Sequence, residues 1–174
     1  RLEYIVKTTV SKNWKYFPHE GRRWFDMIDI ENKKVLDYVT KEKPKRIIEI
    51  GCGPGRLISQ ILKIKDYYYD EMVGIDGDKL MSEIARLRFR KNPKISIFDM
   101  TVRDRLPYPN DYFDLCINAM NIAGWQGDND REWLKEMLRC SSTVFFTLYK
   151  KGCEKERIEM YRTRGHKLDN VQLD

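Results

Sequence analysis

The sequence is poor in the residues that hold metals or build disulfide frameworks. It has two histidines, His19 and His166, and its four cysteines, at positions 52, 116, 140 and 153, form no Cys-x-x-Cys pair. A zinc site is therefore not expected. Four unpaired thiols in a domain of this size predict a reducing, cytoplasmic location. We expect Cys116 and Cys140 to be buried as small apolar residues.

Long hydrophobic segments are also absent. The longest mainly apolar segments, such as Val144–Leu148, have the length of a strand and are much shorter than a membrane span. Charged residues are spread through the N-terminal segment, which predicts no secretory leader. With 174 residues and no internal repeat, the chain is long enough for one domain with a core, and no membrane association is expected.

The charge balance is moderately basic. Lysine and arginine together number 33 against 27 aspartates and glutamates, which gives a net charge of +6. A basic surface attracts phosphate-rich partners, but abundant lysine, arginine and glutamate are also typical of surface ion-pair networks. A nucleic-acid partner is therefore compatible with the sequence but not required by it.

From Lys45 onward, strand-like and helix-like segments alternate, which predicts an α/β fold with a doubly wound, mainly parallel sheet flanked by helices. The predicted strands are Arg46–Ile50, Met72–Ile75, Ile95–Phe98, Phe113–Ala119 and Thr143–Tyr149, with Val171–Leu173 as the start of a sixth. The predicted helices are Leu57–Ile64, Leu80–Arg90, Arg131–Arg139 and Glu154–Arg164. We expect Asp78 to cap the second of these helices, with Leu80, Ile84 and Leu87 on its apolar face, and Asp128 or Asn129 to cap the third.

The residues before Lys45 have a different character. Five aromatic residues crowd positions 14 to 25, and Ile28, Val35, Leu36 and Val39 follow at helical spacing. This pattern predicts a helical N-terminal extension over residues 1–44, ahead of an α/β core over residues 45–174. The aromatic residues fit two interpretations, a lid over a site or ordinary core packing, and core packing is favoured for each residue taken singly.

A glycine-rich segment, Glu49-Ile50-Gly51-Cys52-Gly53-Pro54-Gly55, joins the first predicted strand to the helix after it. Glycine permits unusual backbone angles and close approach of a ligand, and the free N–H groups of the next helix point into the same space. Ligands of parallel sheets bind beyond the carboxyl ends of the strands. A dinucleotide fingerprint would need glycine at position 56, where this chain has Arg56, so a dinucleotide oxidoreductase is disfavoured.

Two carboxylates follow at the ends of the next two predicted strands. Asp76, after the second strand, is suited to accept hydrogen bonds from both hydroxyls of a ribose, although alone it would also fit a turn or a helix cap. Asp99, after the third strand, is suited to accept a hydrogen bond from the exocyclic amine of adenine. Met100 adds an apolar wall and a backbone N–H beside the same ring.

These features are similar to those of the class I S-adenosylmethionine-dependent methyltransferases. The similarity covers about residues 45 to 150 and includes the turn Leu106-Pro107-Tyr108-Pro109, followed by Phe113-Asp114. It implies a Rossmann-like fold, S-adenosyl-L-methionine as cofactor and transfer of a methyl group. The acceptor class stays open between small molecules, proteins and RNA.

The resemblance also implies roles for single residues. The cofactor-binding residues that it implies are Glu49, Gly51, Cys52, Gly53, Gly55, Ile75, Asp76, Asp99, Met100 and Asn118. Among these, Gly51 and Gly53 admit the methionine part of the cofactor, and Glu49 holds the loop or the cofactor amino group. Asn118, where the fourth predicted strand ends, faces the methyl group and the acceptor, and is the candidate catalytic residue.

Methyl transfer from a sulfonium needs a well-placed nucleophile more than an acid–base triad, so the lack of a triad does not argue against an enzyme. The Asp/Asn-Pro-Pro-Tyr motif of adenine and glutamine amino-methylating enzymes is replaced by Asn118-Ala119-Met120-Asn121, which makes that chemistry unexpected. The candidates to surround the acceptor are Asn118, Asn121, Trp125 and Tyr149, with Tyr16, His19 and Arg23 closing over it. Each of these residues fits ordinary packing or an exposed surface position at least as well.

Three other functions are compatible with the sequence. They are a non-catalytic S-adenosylmethionine- or nucleotide-binding regulatory module, a dinucleotide oxidoreductase, and a nucleic-acid-binding domain with a vestigial cofactor site. The resembling family ends its sheet with two further strands after the fifth, and this sequence holds at most the start of one. The oligomeric state is not predicted.

Overall fold

The computed structural model describes residues 20–101, 105–119 and 130–147. These ranges contain four helices and five strands. Their order is α1 (Glu20–Glu42), β1 (Arg46–Ile50), α2 (Arg56–Ile61), β2 (Glu71–Asp76), α3 (Lys79–Phe89), β3 (Ile95–Asp99), β4 (Phe113–Asn118), α4 (Asp130–Cys140) and β5 (Ser141–Phe146).

The five described strands form one parallel sheet in the order β3-β2-β1-β4-β5. Ile47 of β1 is in register with Met72 of β2 on one side and with Leu115 of β4 on the other. From β1 the chain proceeds outward to β3 and then crosses to the opposite side of β1, where β4 and β5 follow. This topology confirms the predicted doubly wound fold, and its switch point lies between the carboxyl ends of β1 and β4.

Hydrophobic side chains from the sheet form two separate clusters. Ile47 and Ile48, which are neighbours in β1, belong to different clusters because side chains alternate along a strand. The first cluster includes residues of α1, α2 and α3, whereas Trp133 and Met137 of α4 belong to the second. Helices therefore cover both faces of the sheet. Because the strands are buried on both sides, their sequences are nearly continuously apolar.

The element boundaries agree with the sequence predictions to within a few residues. The largest shifts are at the end of α2, which stops at Ile61 instead of Ile64, and at β5, which is shifted toward the N-terminus. After Ile61 the backbone continues in tighter turns, because Lys63 N donates to Gln60 O and Ile64 N donates to Ile61 O. β5 begins directly after the last residue of α4, with no connecting loop.

Helix α3 confirms one prediction and corrects another. The Asp78 side chain accepts hydrogen bonds from Leu80 N at 2.9 Å and Met81 N at 3.3 Å, as expected for an N-cap. The predicted apolar face is right for Ile84, which is buried, and wrong for Leu80 and Leu87, which are 46% and 40% exposed. The buried residues are Ser82, Ile84, Ala85 and Phe89. Ser82 and Ala85 are both fully buried, so the buried face of the helix includes two small side chains.

Cys116 and Cys140 are fully buried in the second cluster, which confirms their prediction as core residues. The turn before β4 is held by two residues of α4. Glu136 Oε1 accepts from Leu106 N at 2.6 Å, and the Arg139 guanidinium donates to Leu106 O at 3.1 Å and to Tyr108 O at 2.8 Å. The Leu-Pro-Tyr-Pro turn is therefore fixed to α4 through polar contacts.

The predicted helix N-terminal to the sheet is present as α1, with Val35 and Val39 buried. Other predictions lie outside the described residues: the five N-terminal aromatic side chains, the caps at Asp128 or Asn129, the helix Glu154–Arg164 and the strand Val171–Leu173. The chain divides into two compact units, residues 1–30 with 149–174 and residues 31–148, and the sheet lies in the second. In the described ranges, no helix is long and apolar enough to cross a membrane.

Asp114 is expected to stabilise the start of β1. Its Oδ2 atom accepts hydrogen bonds from Lys45 N at 2.7 Å and Arg46 N at 2.8 Å. Asp114→Ala should lower the free energy of unfolding by about 1–2 kcal/mol, because both amides lose a charged acceptor. Chemical denaturation measures this loss. Asp37→Ala removes a carboxylate that pairs with Lys33 on the exposed surface of α1, and should have a smaller effect; equal losses would contradict the assignment.

Candidate cofactor-binding site

The loop between β1 and α2 has a left-handed backbone at three positions. Gly51, Gly53 and Gly55 have φ angles of 73°, 52° and 77°. Residues with a side chain adopt this conformation at a cost of about 1–2 kcal/mol each. Gly51 N and Cys52 N both donate to Ile75 O, at 2.7 and 2.9 Å, so the loop is attached to the carboxyl end of β2.

Two of these glycines are required for different reasons. A Cβ atom added to Gly55 would lie 2.3 Å from Cε2 of Phe89, so Gly55 leaves room for the packing of α3. A Cβ atom added to Gly53 would meet no atom within 4 Å. Gly53 therefore faces open space, as a backbone site for a closely approaching ligand requires.

The Asp76 carboxylate links the glycine loop to the start of α3. Its Oδ2 atom accepts from Gly53 N at 2.6 Å, and its Oδ1 atom accepts from Asp78 N at 2.9 Å. A carboxylate oxygen has two lone pairs. Each oxygen of Asp76 thus retains acceptor capacity for the hydroxyl groups of a ligand.

Asp99 and Met100 lie beside Asp76 at the edge of the sheet. Asp99 is in register with Asp76 across the β2–β3 pair, and its side chain is exposed. Met100 N donates to Asp76 O at 3.2 Å, while the Met100 side chain is half-buried against the second hydrophobic cluster. The structure therefore brings these three predicted residues together.

Glu49 is a buried acid at the centre of the sheet. It is 3% exposed, and its Oε2 atom has no hydrogen-bond partner among the described residues. Burial raises the pKa of Glu49 to about 8, against the opposing effects of the Arg56 charge and a hydrogen bond from the Ile58 backbone. Asp76 and Glu31 contribute further to the raised pKa.

Arg56 connects the start of α2 to helix α1. Its guanidinium donates a hydrogen bond to Asn32 Oδ1 and lies 3.9 Å from Glu31 Oε2. Glu31 in turn accepts from Thr147 Oγ1 at 2.5 Å, just after β5. These contacts were not predicted from the sequence. A signal existed, because Glu31 and Asn32 occupy the positions at which the apolar stripe from Ile28 to Val39 should continue.

Asn118 lies at the switch point, at the end of β4. The residue is fully buried, and its Nδ2 atom donates to Ile50 O at 3.1 Å. This bond joins the carboxyl ends of β4 and β1 immediately before the glycine loop. Its predicted role toward the methyl group stays a prediction, and so do the roles of Asn121, Trp125, Tyr149, Tyr16, His19 and Arg23, whose side chains lie outside the described residues.

Cys52 and Ile75 turn their side chains into the hydrophobic clusters. Cys52 is 3% exposed and Ile75 is 1% exposed. A Cβ atom added to Gly74 would lie 2.9 Å from Cys52 Sγ, so the thiol packs against the sheet backbone. Burial raises the pKa of Cys52 well above its ordinary value. Both side chains are thus turned away from the surface, and their predicted contact with the cofactor stays a prediction.

The two glycine positions predict different stability losses. Gly55→Ala should lower the free energy of unfolding by about 2–4 kcal/mol, because backbone strain adds to the overlap with Phe89. Gly53→Ala should lose only the strain, about 1–2 kcal/mol. Denaturation curves of the two variants make the comparison. If Gly53→Ala costs as much as Gly55→Ala, the space beside Gly53 is not open.

The buried Glu49 predicts a specific pH dependence of stability. Its folded-state pKa of about 8 exceeds its ordinary value of 4.5, so the folded protein binds more protons than the unfolded chain between these values. Stability from this group is therefore complete below about pH 4.5 and is lost as the pH rises toward about 8. Glu49→Gln should accordingly gain stability relative to wild type over that interval. Parallel unfolding profiles would contradict this expectation; Glu132→Gln, at an exposed site on α4, is the matched control.

Residues 47–143, more than half of the chain, match the family described as methyltransferase domain. N-methyltransferase NodS from Bradyrhizobium japonicum WM9 superposes with a TM-score of 0.60 at 14% sequence identity, over 75% of this chain and 73% of NodS. The methyltransferase domain of bacterial CtHen1-C gives a TM-score of 0.54 at 19% identity, over 76% of this chain and 82% of that domain.

A third similar structure is the plantazolicin methyltransferase BpumL in complex with SAH, with a TM-score of 0.57 at 15% identity, over 91% of this chain and 66% of BpumL. At such identities these likenesses show the fold alone. This chain spans 82% of the CtHen1-C domain, 73% of NodS and 66% of BpumL, and only 39% of another similar structure. The family match, together with the doubly wound sheet and its glycine loop, establishes that this chain belongs to the methyltransferase-domain family, whose cofactor is S-adenosyl-L-methionine.

Proposed function

We propose that this protein is an enzyme that transfers a methyl group from S-adenosylmethionine to a nucleophilic acceptor. The cofactor lies across the carboxyl ends of β1, β2 and β3 in this proposal. The observation that carries it is the alignment of Asp76 with Asp99 beside the open face of Gly53. Two carboxylates at neighbouring strand ends, next to a backbone without side chains, suit a ligand that combines a sugar, a base and an extended chain.

The Asp76 carboxylate is the proposed ribose acceptor. It already orients Gly53 N and Asp78 N, so its position is fixed before a ligand arrives. A preorganised acceptor loses little conformational freedom on binding, which favours affinity. Asp99 and the Met100 side chain are the proposed contacts of the adenine ring, with Asp99 accepting from its amine.

The glycine loop is the proposed contact of the methionine part of the cofactor. Open space at Gly53 permits a close approach to the backbone, and Glu49 supplies a carboxyl group from β1 for the cofactor's amino group. When bound, the cofactor supplies a methyl group on a positively charged sulfur, which is strongly electrophilic. The chain's part is then to orient that methyl group and to exclude water from it.

Asn118 is proposed to act on the acceptor side of the site. Its bond to Ile50 O fixes the end of β4 next to the strand that leads into the glycine loop. An acceptor that binds beyond β4 would then meet the methyl group across the switch point. In this proposal the acceptor enters beyond β4, and its chemical class is left to experiment.

Labelled S-adenosylmethionine and fractionated cell extract test the proposal. Titration calorimetry with S-adenosylhomocysteine first measures cofactor binding, and the fraction that takes up label then identifies the acceptor as protein, RNA or small molecule. Absence of binding would refute the proposed site. Binding without label transfer to any fraction would refute catalysis and leave a cofactor-binding regulatory module.

Replacing Asp76 should weaken cofactor binding, whereas replacing the nearby Asp78 should not. Asp76→Asn should weaken binding of S-adenosylhomocysteine by about 1.5–3 kcal/mol, the range for hydrogen bonds to charged groups. Asp78→Asn is the matched control, because asparagine also caps helices and Asp78 serves α3. Calorimetry on both variants gives the comparison. Unchanged affinity in Asp76→Asn would remove this residue from the site.

A further inference from the structure

Arg56 lies between acidic side chains from two other elements, α1 and β1. Its guanidinium is engaged with Asn32 and Glu31 of α1. It also acts electrostatically on Glu49 of β1, although no ion pair of Glu49 occurs in the part of the chain that the structure describes. Arg56 therefore pairs with the carboxylate of Glu31 and also favours the ionised form of Glu49 without pairing with it.

Glu49 is placed so that its charge has little support. It is almost completely buried, and its Oε2 atom has no partner among the described residues. An unpaired charge in such surroundings is costly, so the group keeps a proton instead. The groups that face it are Arg56 and the Ile58 amide from α2, which favour the ionised form, and Asp76 from β2 and Glu31 from α1, which oppose it.

We propose that Arg56 is a positioning residue for Glu49, and that Glu49 releases a proton when the cationic amino end of S-adenosylmethionine binds beside it. The proposal rests on the proposed function and extends it to the charge state of the site. The protonated carboxyl becomes a carboxylate, the proton passes to solvent, and the cofactor's ammonium group replaces it as the balancing charge. No other bond forms or breaks.

The direction of the pH effect follows from this exchange. The free protein holds the proton more tightly than the complex, so cofactor affinity rises with pH wherever the free protein is still protonated. The rise approaches about tenfold per pH unit for one linked proton. Because an α-amino group itself loses its proton at about pH 7.7–8.0, the informative interval lies below about pH 7.

Calorimetry with S-adenosylhomocysteine, which keeps the α-ammonium group, tests the linkage. Titrations from about pH 5.5 to about pH 7, in buffers of low and high ionisation enthalpy, report affinity and the number of protons released. Wild type should release close to one proton, with affinity rising as the pH increases. Glu49→Gln preserves the shape of the side chain and should show neither effect.

Variants of Arg56 separate positioning from a general structural role. Arg56→Met removes the charge that favours ionised Glu49, so in unfolding profiles of the free protein the loss of stability caused by Glu49 should extend to higher pH than in wild type. Arg56→Lys retains the charge and should restore most of the wild-type profile. Lys33→Met removes one positive charge from the exposed surface of α1 and should leave the profile unchanged. Circular dichroism checks that each variant is folded.

The outcomes distinguish this inference from the proposed function. Equal pH slopes in wild type and Glu49→Gln would overturn the proton release. An unfolding profile of Arg56→Met with the same pH dependence as that of wild type would overturn the positioning role and assign Arg56 to stability. If no variant, wild type included, binds S-adenosylhomocysteine at any pH, the proposed function itself fails.

Discussion

The hydrogen bond from Gly53 N to Asp76 holds together the two parts of the molecule on which the site depends. It joins a loop with three left-handed glycines to the end of the neighbouring strand. Because Ile75 O also accepts from the first two amides of that loop, β2 determines where the loop runs. The parallel sheet then places Asp99 and Asn118 at the ends of flanking strands, so the candidate site is a product of strand register.

The candidate site also depends on the distribution of charged side chains near the glycine loop. Glu31, Glu49 and Asp76 converge on one region, and Arg56 is the cation that acts on Glu49 there. A buried carboxyl of this kind contributes little to stability when it is charged. A buried glutamate in a strand of isoleucines is explained more readily by an interaction with a cationic ligand than by packing. The electrostatics of the site thus agree with a cofactor that carries positive charge.

Much of the architecture could be predicted from local pattern. The apolar runs of β1 and β4, the glycine loop and the Asp78 cap depend on neighbours in sequence, and the structure confirms each. The buried face of α3 could not be read from spacing, because it depends on which side chains fit against the sheet and on the fit of Phe89 beside Gly55. The contacts of Arg56 with α1 and of Glu31 with Thr147 join residues 24 and 116 positions apart, a distance over which sequence periodicity carries no information.

The absence of any connecting residue between α4 and β5 has a practical consequence. Arg139 also donates hydrogen bonds to the turn before β4. Helix α4, strand β5 and that turn are therefore directly connected to one another. A reporter peptide or affinity tag inserted between α4 and β5 would separate the two elements and disrupt these contacts. The irregular segment between α2 and β2 is a better insertion site, because it lies at the opposite end of the strands from the glycine loop.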